Sequence, residues 1–149
     1  MAPVPTPPVF NQVNLVVQDM DATIAFYRKV GLAIDAPPGA HHVAVPLPQG
    51  LLLEFDTTEF VRQWDSGWHG PTGGSAVLGF SMASREAVDR TYADLTGAGY
   101  RGHQSPYDAF WGARYAIVED PDGNPVGFMS PVDEEHKTWP PPPLPTRRA

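Results

Sequence analysis

The sequence predicts an α+β fold: two β-α-β-β-β modules forming a cup-shaped mixed sheet with helices on the convex side. Three observations predict it. The order of strand-like and helix-like stretches runs through once and then restarts. Landmark residues recur at steady offsets: Leu15 with Phe80, Val17 with Met82 and Tyr27 with Tyr92, 65 residues apart, and Leu53-Glu54-Phe55 with Val126-Gly127-Phe128, 73 apart. Proline gathers at the two ends, which leaves one body long enough to bury a core.

The elements follow in order. Val13, Leu15 and Val17 alternate with Asn14, Val16 and Gln18, the period of a strand with one buried face. Asp19 is placed to cap a helix over Met20 to Val30, with Ala22, Phe26 and Val30 on one stripe and Met20, Ile24 and Tyr27 widening it. Gly31 ends that helix, and Leu32 and Ile34 start an extended segment. His41 to Val45 and Leu51 to Phe55 read as strands. The stretch from Thr57 to Gly74 is expected to be a long irregular linker carrying Phe60, Trp64, Trp68 and His69. The second module opens with a strand over Ala76 to Met82. Ser84 caps a helix to about Thr96, with Val88, Tyr92 and Leu95 inward and Gly97 and Gly99 at its end. An extended path resumes at Tyr100 to His103. Tyr115 to Val118 and Val126 to Met129 form a hairpin across Asp122-Gly123.

These elements divide the chain into a proline-rich arm (1–8), a body (9–131) and a proline-rich tail (132–149). Within the body, module one spans 9–56, the linker 57–74 and module two 75–131. Both ends should be extended, and the TWPPPPLP run has the makings of a ligand for a polyproline-binding domain. The 149 residues carry 17 acids against 10 bases. The tail's three acids and three bases cancel, leaving 14 against 7 in the body. Such a surface disfavours nucleic acid and suits a cationic or neutral small ligand. With no cysteine there is no disulfide or thiolate chemistry. No apolar run is of membrane-spanning length and no secretory signal opens the chain, so a cytoplasmic protein is expected.

Two segments carry a family resemblance. VNLVVQDMDATIAFYRKVGL resembles the first strand and helix of the vicinal oxygen chelate superfamily, and FWGARYAIVEDPDGNPVGFMS its last hairpin. That superfamily includes glyoxalase I, extradiol dioxygenases, fosfomycin-resistance enzymes and bleomycin-resistance proteins. Trp111-Gly112 followed by DPDGN is most similar to the bleomycin-resistance branch. The resemblance implies a divalent metal in the cup, held from the first and last strands of each module. Here those positions are Gln12, Glu54, Val77 and Gly127. Valine and glycine offer no side-chain donor, so the inherited site is incomplete and no metal or other cofactor is expected. The alternative is a divalent metal ion held after all. The histidines do not restore the set by spacing: His41 and His42 point to opposite faces of one strand, and at most one of them reaches the cup to bond a ligand.

Strand alternation turns Gln12, Asn14, Leu52, Glu54, Val77, Gly79, Ser81, Gly127 and Met129 toward the cup, with small residues leaving room for a guest. The expected ligand-binding residues are Gln12, Asn14, Glu54, Trp64, Trp68, Tyr107, Phe110, Trp111 and Arg114, the aromatic faces suiting a planar or cationic guest. Glu54 needs a partner there, whether Gln12, Asn14, Arg114 or a basic group on the ligand. The leading expectation is a metal-independent small-molecule-binding protein that sequesters a bulky aromatic or cationic compound such as an antibiotic, as a homodimer. The modules pair within one chain or swap between two. The alternative is an enzyme of the same fold, either a metal-dependent lyase, isomerase or dioxygenase, or a metal-free acid–base catalyst using Glu54.

Overall fold

The structure is a computed structural model that describes residues 7, 9–70, 76–138 and 143. The chain divides into two compact units, one ending at residue 71 and the other beginning at residue 72. Most of the proline arm and tail lies outside the described residues, and so does the proposed polyproline motif.

The first unit is built on strand β3 (Leu52–Thr57), flanked by β1 (Gln12–Val17) running parallel and β2 (His42–Pro46) running antiparallel. Between β1 and β2 lies helix α1 (Met20–Val30). Asp19 caps α1 as expected, its carboxylate accepting the Ala22 N–H at 3.0 Å. Gly31 ends it at φ +122°, a backbone state that a residue with a Cβ rarely adopts, and Leu32 N–H returns to the Tyr27 carbonyl at 3.0 Å. The inner face buries Met20, Ile24, Phe26 and Tyr27. Tyr27 stacks on Phe55 of β3 with ring centroids 5.1 Å apart, which anchors the helix on one face of the sheet.

Two expectations for this unit need correction. Leu32 to Ile34 adds no strand, so the first module is β-α-β-β. The Arg28 guanidinium donates to the Ile34 carbonyl, from Nη2 at 2.7 Å and Nε at 3.1 Å, tying the segment back to α1. Pro37 and Pro38 follow directly and bring no N–H for a ladder. Nor is the linker wholly irregular: helix α2 (Thr58–Trp64) starts it, capped by the Thr57 hydroxyl, which accepts from Phe60 N–H at 3.3 Å. With Val61 as its only buried side chain, α2 leaves almost no periodic trace in the sequence.

The second unit has strand order β4-β7-β6-β5, with β4 (Leu78–Ser81), β5 (Gly102–Asp108), β6 (Arg114–Glu119) and β7 (Pro125–Met129). Helix α3 (Arg85–Gly97), capped by Ser84, buries Val88 and Leu95. Phe128 and Phe80 stack at 6.1 Å, and Ala116, Val118 and Val126 complete the core. The β6–β7 turn shows why DPDGN has that composition. Buried Asp120 accepts the N–H groups of Asp122 and Asn124 on one oxygen and the Asn124 side-chain amide on the other, each at 2.9 Å. Gly123 supplies φ +82°. Beyond β7 the chain folds back: Asp133 N–H donates to the Gly112 carbonyl and Thr138 N–H to the Phe110 carbonyl, both at 2.9 Å. Among the described residues, no helix is long and apolar enough to cross a membrane.

Candidate functional site

Register builds the site in the first unit. Asn14 lies opposite Glu54, and His42 opposite Asp56. On alternating strands these four side chains therefore share the face turned away from the Tyr27–Phe55 stack. The Asn14 Nδ2 amide donates to Glu54 Oε2 at 2.8 Å and to Asp56 Oδ2 at 2.9 Å. Gln12 Nε2 donates to Asn14 Oδ1 at 2.8 Å. His42 Nδ1 bonds the other oxygen of Asp56, whose side chain is almost fully buried. The imidazole also stacks on Phe60 of α2, centroids 5.2 Å apart and planes 29° from parallel. Trp64, 53% exposed, stands at the mouth. Gln12, Asn14, His42, Glu54, Asp56, Phe60 and Trp64 enclose a cavity of about 240 Å³.

Of the ligand-binding residues expected from sequence, this pocket gathers Gln12, Asn14, Glu54 and Trp64. Trp68 is not among its walls; the Arg62 guanidinium lies 5.4 Å from its ring centroid. Asn14 proves to be the partner of Glu54, while Arg114 is engaged elsewhere, donating to Asp89 at 2.8 Å and to Asp108 at 3.1 Å. Asp56 went unrecognised because the strand read from sequence stopped at Phe55. One further alternating step, Leu52–Glu54–Asp56, would have placed it on the same face. His42, not His41, joins this face; His41 Nδ1 bonds the Thr57 hydroxyl at 2.9 Å.

The second unit places quite different chemistry at the equivalent register. Gly79 pairs with Gly127, and Tyr115 with Met129, so this unit has Gly, Gly, Tyr and Met where the first has Asn14, Glu54, His42 and Asp56. Tyr107, Phe110, Trp111 and Tyr115 form an edge-to-face cluster, and the Trp111 indole N–H donates to the Met129 sulfur at 3.3 Å. This unites three of the predicted aromatics and adds Tyr115. Arg114, next along β6, falls on the opposite face with the acids that bind it. Its two partners leave it no share in the aromatic cluster.

Burial, and secondarily the Tyr107 phenol, push the Tyr115 phenol above the usual tyrosine range. The folded state therefore holds that proton when the unfolded state has begun to lose it. Stability from this group is complete below the ordinary tyrosine pKa and is lost as pH rises through the folded value. Melting curves between about pH 9 and pH 11 should show wild type losing more stability than Tyr115→Phe. Parallel losses would place the phenol in water.

The donor set does not fit the metal implied by the fold. Val77 has no donor atom and is exposed just before β4. At Gly127 a Cβ would lie 2.6 Å from the Tyr115 hydroxyl oxygen, so the aromatic ring fills the place where a ligating side chain would project. Among the described residues no group of three His, Cys, Asp or Glu is arranged to hold an ion.

The fold agrees with what comparison shows. Residues 9–128 match the family model of the Glyoxalase/Bleomycin resistance protein/Dioxygenase superfamily, and the chain belongs to that superfamily. Solved structures share the fold at low identity. A glyoxalase/bleomycin resistance protein/dioxygenase from Nocardioides is 20% identical, with TM-score 0.68 over 88% of each chain. A family enzyme of the same description from Burkholderia phytofirmans PsJN is 21% identical, with TM-score 0.69, covering 81% of this chain and 97% of that one. Lactoylglutathione lyase from Agrobacterium tumefaciens is 20% identical, with TM-score 0.64, covering 83% and 94%. Comparison with curated proteins gives no match.

Proposed function

We propose that this chain is a metal-independent small-molecule-binding member of its superfamily that sequesters an aromatic or cationic compound, an antibiotic being one such, by holding a cationic group in the first-unit pocket. The supporting observation is the pair Glu54 and Asp56, drawn to a single Asn14 amide nitrogen within an aromatic-walled cavity. Two carboxylates this close repel, and a cation between them relieves the repulsion while Phe60 and Trp64 offer their faces. Size refines the reading. The cavity, at about 240 Å³, is smaller than the roughly 300–1,000 Å³ of sites that enclose drug-sized ligands, so it takes the cationic end of a bulky compound. Metal independence rests on the donor chemistry at Val77 and Gly127.

Titration with cationic aromatic antibiotics should quench Trp64 fluorescence. Glu54→Gln keeps an oxygen for Asn14 and removes one charge. It should weaken binding at least about tenfold without lowering the melting temperature, because a like-charge contact is relieved. A variant that binds as well as wild type would remove Glu54 from the grip. The proposed assembly is a homodimer, supported by Val9 and Phe10, exposed at 80% and 77% beside edge strand β1. A monomeric mass by light scattering would remove it.

One observation favours a second reading, metal-free proton transfer. Asp56 fixes the ring of His42 through Nδ1, which makes His42 a better-placed base than Glu54. A ligand recovered chemically unchanged after prolonged incubation supports sequestration; a converted one supports catalysis.

A further inference from the structure

We infer that the pocket selects planar cations rich in N–H groups, amidinium and guanidinium ions, over quaternary ammonium ions of equal charge; this rests on the cation-binding reading above. The polar atoms that the pocket leaves without a partner carry this selectivity. Asp56 has both oxygens engaged, one by His42 and one by Asn14. Glu54 Oε2 and Asn14 Oδ1 are engaged as well. Three atoms able to accept a hydrogen bond line the cavity with no partner among the described residues: Glu54 Oε1, His42 Nε2 and Gln12 Oε1.

All three are acceptors. The neutral form of His42, with its Nδ1–H given to the Asp56 carboxylate, presents a lone pair at Nε2. The uncommitted donors nearby are the second N–H of Gln12 and the indole N–H of Trp64 at the mouth. A ligand that satisfies this set must bring several N–H groups. A quaternary ammonium brings none, so its entry would strip water from three acceptors and leave their hydrogen bonds unreplaced, whatever its charge gains.

Shape points the same way. Asp56 clamps one edge of the His42 ring and Phe60 one face, so the acceptor at Nε2 is held in a fixed direction. Phe60 and Trp64 are flat walls, and a delocalised planar cation can stack on them while its edge donates in plane. A tetrahedral ammonium cannot do both.

The experiment is isothermal titration of the whole chain with benzamidine hydrochloride and with benzyltrimethylammonium chloride. Both carry one aromatic ring and one positive charge, and only the first has N–H donors. Benzamidine should bind at least about tenfold more tightly. His42→Phe, which keeps the flat ring and removes the acceptor, should narrow that ratio; a ratio unmoved in a folded variant would overturn the role given to His42. Equal affinities in wild type would overturn the selectivity while sparing the cation site. Binding of neither compound would remove both the selectivity and the reading beneath it. The wild-type comparison decides without any variant.

Discussion

Asp56→Ala should destabilise the first unit by about 2–4 kcal/mol and abolish cation binding in whatever protein remains folded. Asp56 is fully buried at the end of the central strand, and both its oxygens are occupied. Its removal orphans the Asn14 amide on one side and unclamps His42 on the other. The penalty is that of leaving buried hydrogen-bonding groups without their partner, and it is moderated for two reasons. His42 is partly exposed and rehydrates, and the loss of one carboxylate eases repulsion with Glu54. Asp56→Asn retains the volume and one oxygen for His42, so chemical denaturation should place it between wild type and the alanine variant. Set beside Glu54→Gln, the pair separates two roles: Asp56 holds the pocket together, and Glu54 supplies charge to a guest. An alanine variant as stable as wild type would show that the Asn14–Asp56–His42 chain is incidental to the fold.

The contrast between those two acids also explains how much the sequence revealed. The α+β duplication was legible because its signals are local and periodic: alternation in Val13–Val17, the Asp19 and Ser84 caps, the glycines that close α1 and α3. Glu54 was legible for the same reason, as the polar step in an apolar strand. Its setting was legible only in part: Asn14 was one of the partners open to Glu54, but Asn14, Asp56 and His42 meet through the registers of β1 and β2 on β3, and a register is a long-range property that no single window contains. Arg114 shows the converse. Its charge suggests a partner for Glu54, but the strand begins one residue earlier than the sequence pattern does, and parity with Ala116 and Val118 places it on the helix-packed face. Helix α2 escaped because one buried residue makes no period.

The second unit offers the sharper test of why the metal positions are chemically silent. Gly127→Glu would restore the missing carboxylate at the position that matches Glu54. It should nevertheless yield no metal site and should destabilise the second unit by about 2 kcal/mol or more. Gly127 is fully enclosed, and a Cβ there approaches the Tyr115 hydroxyl oxygen to 2.6 Å and its ring carbons to 3.1 Å. The ring must swing away, and it is tied edge-to-face to Trp111 and Tyr107. Near-ultraviolet circular dichroism should therefore lose intensity along with the melting temperature. Added Zn²⁺ or Ni²⁺ should restore neither, since Val77, the matching first-strand position of this unit, still has no donor. The double variant Gly127→Glu/Tyr115→Ala vacates the ring's place and separates steric cost from coordination. If that protein gained thermal stability from one equivalent of metal, the position would be able to coordinate once the ring is cleared, and the reading of the donor set would be overturned. If it gained none, the space over Gly127 serves the packing of Tyr115 and not coordination, because clearing the ring leaves a single carboxylate beside a donorless Val77.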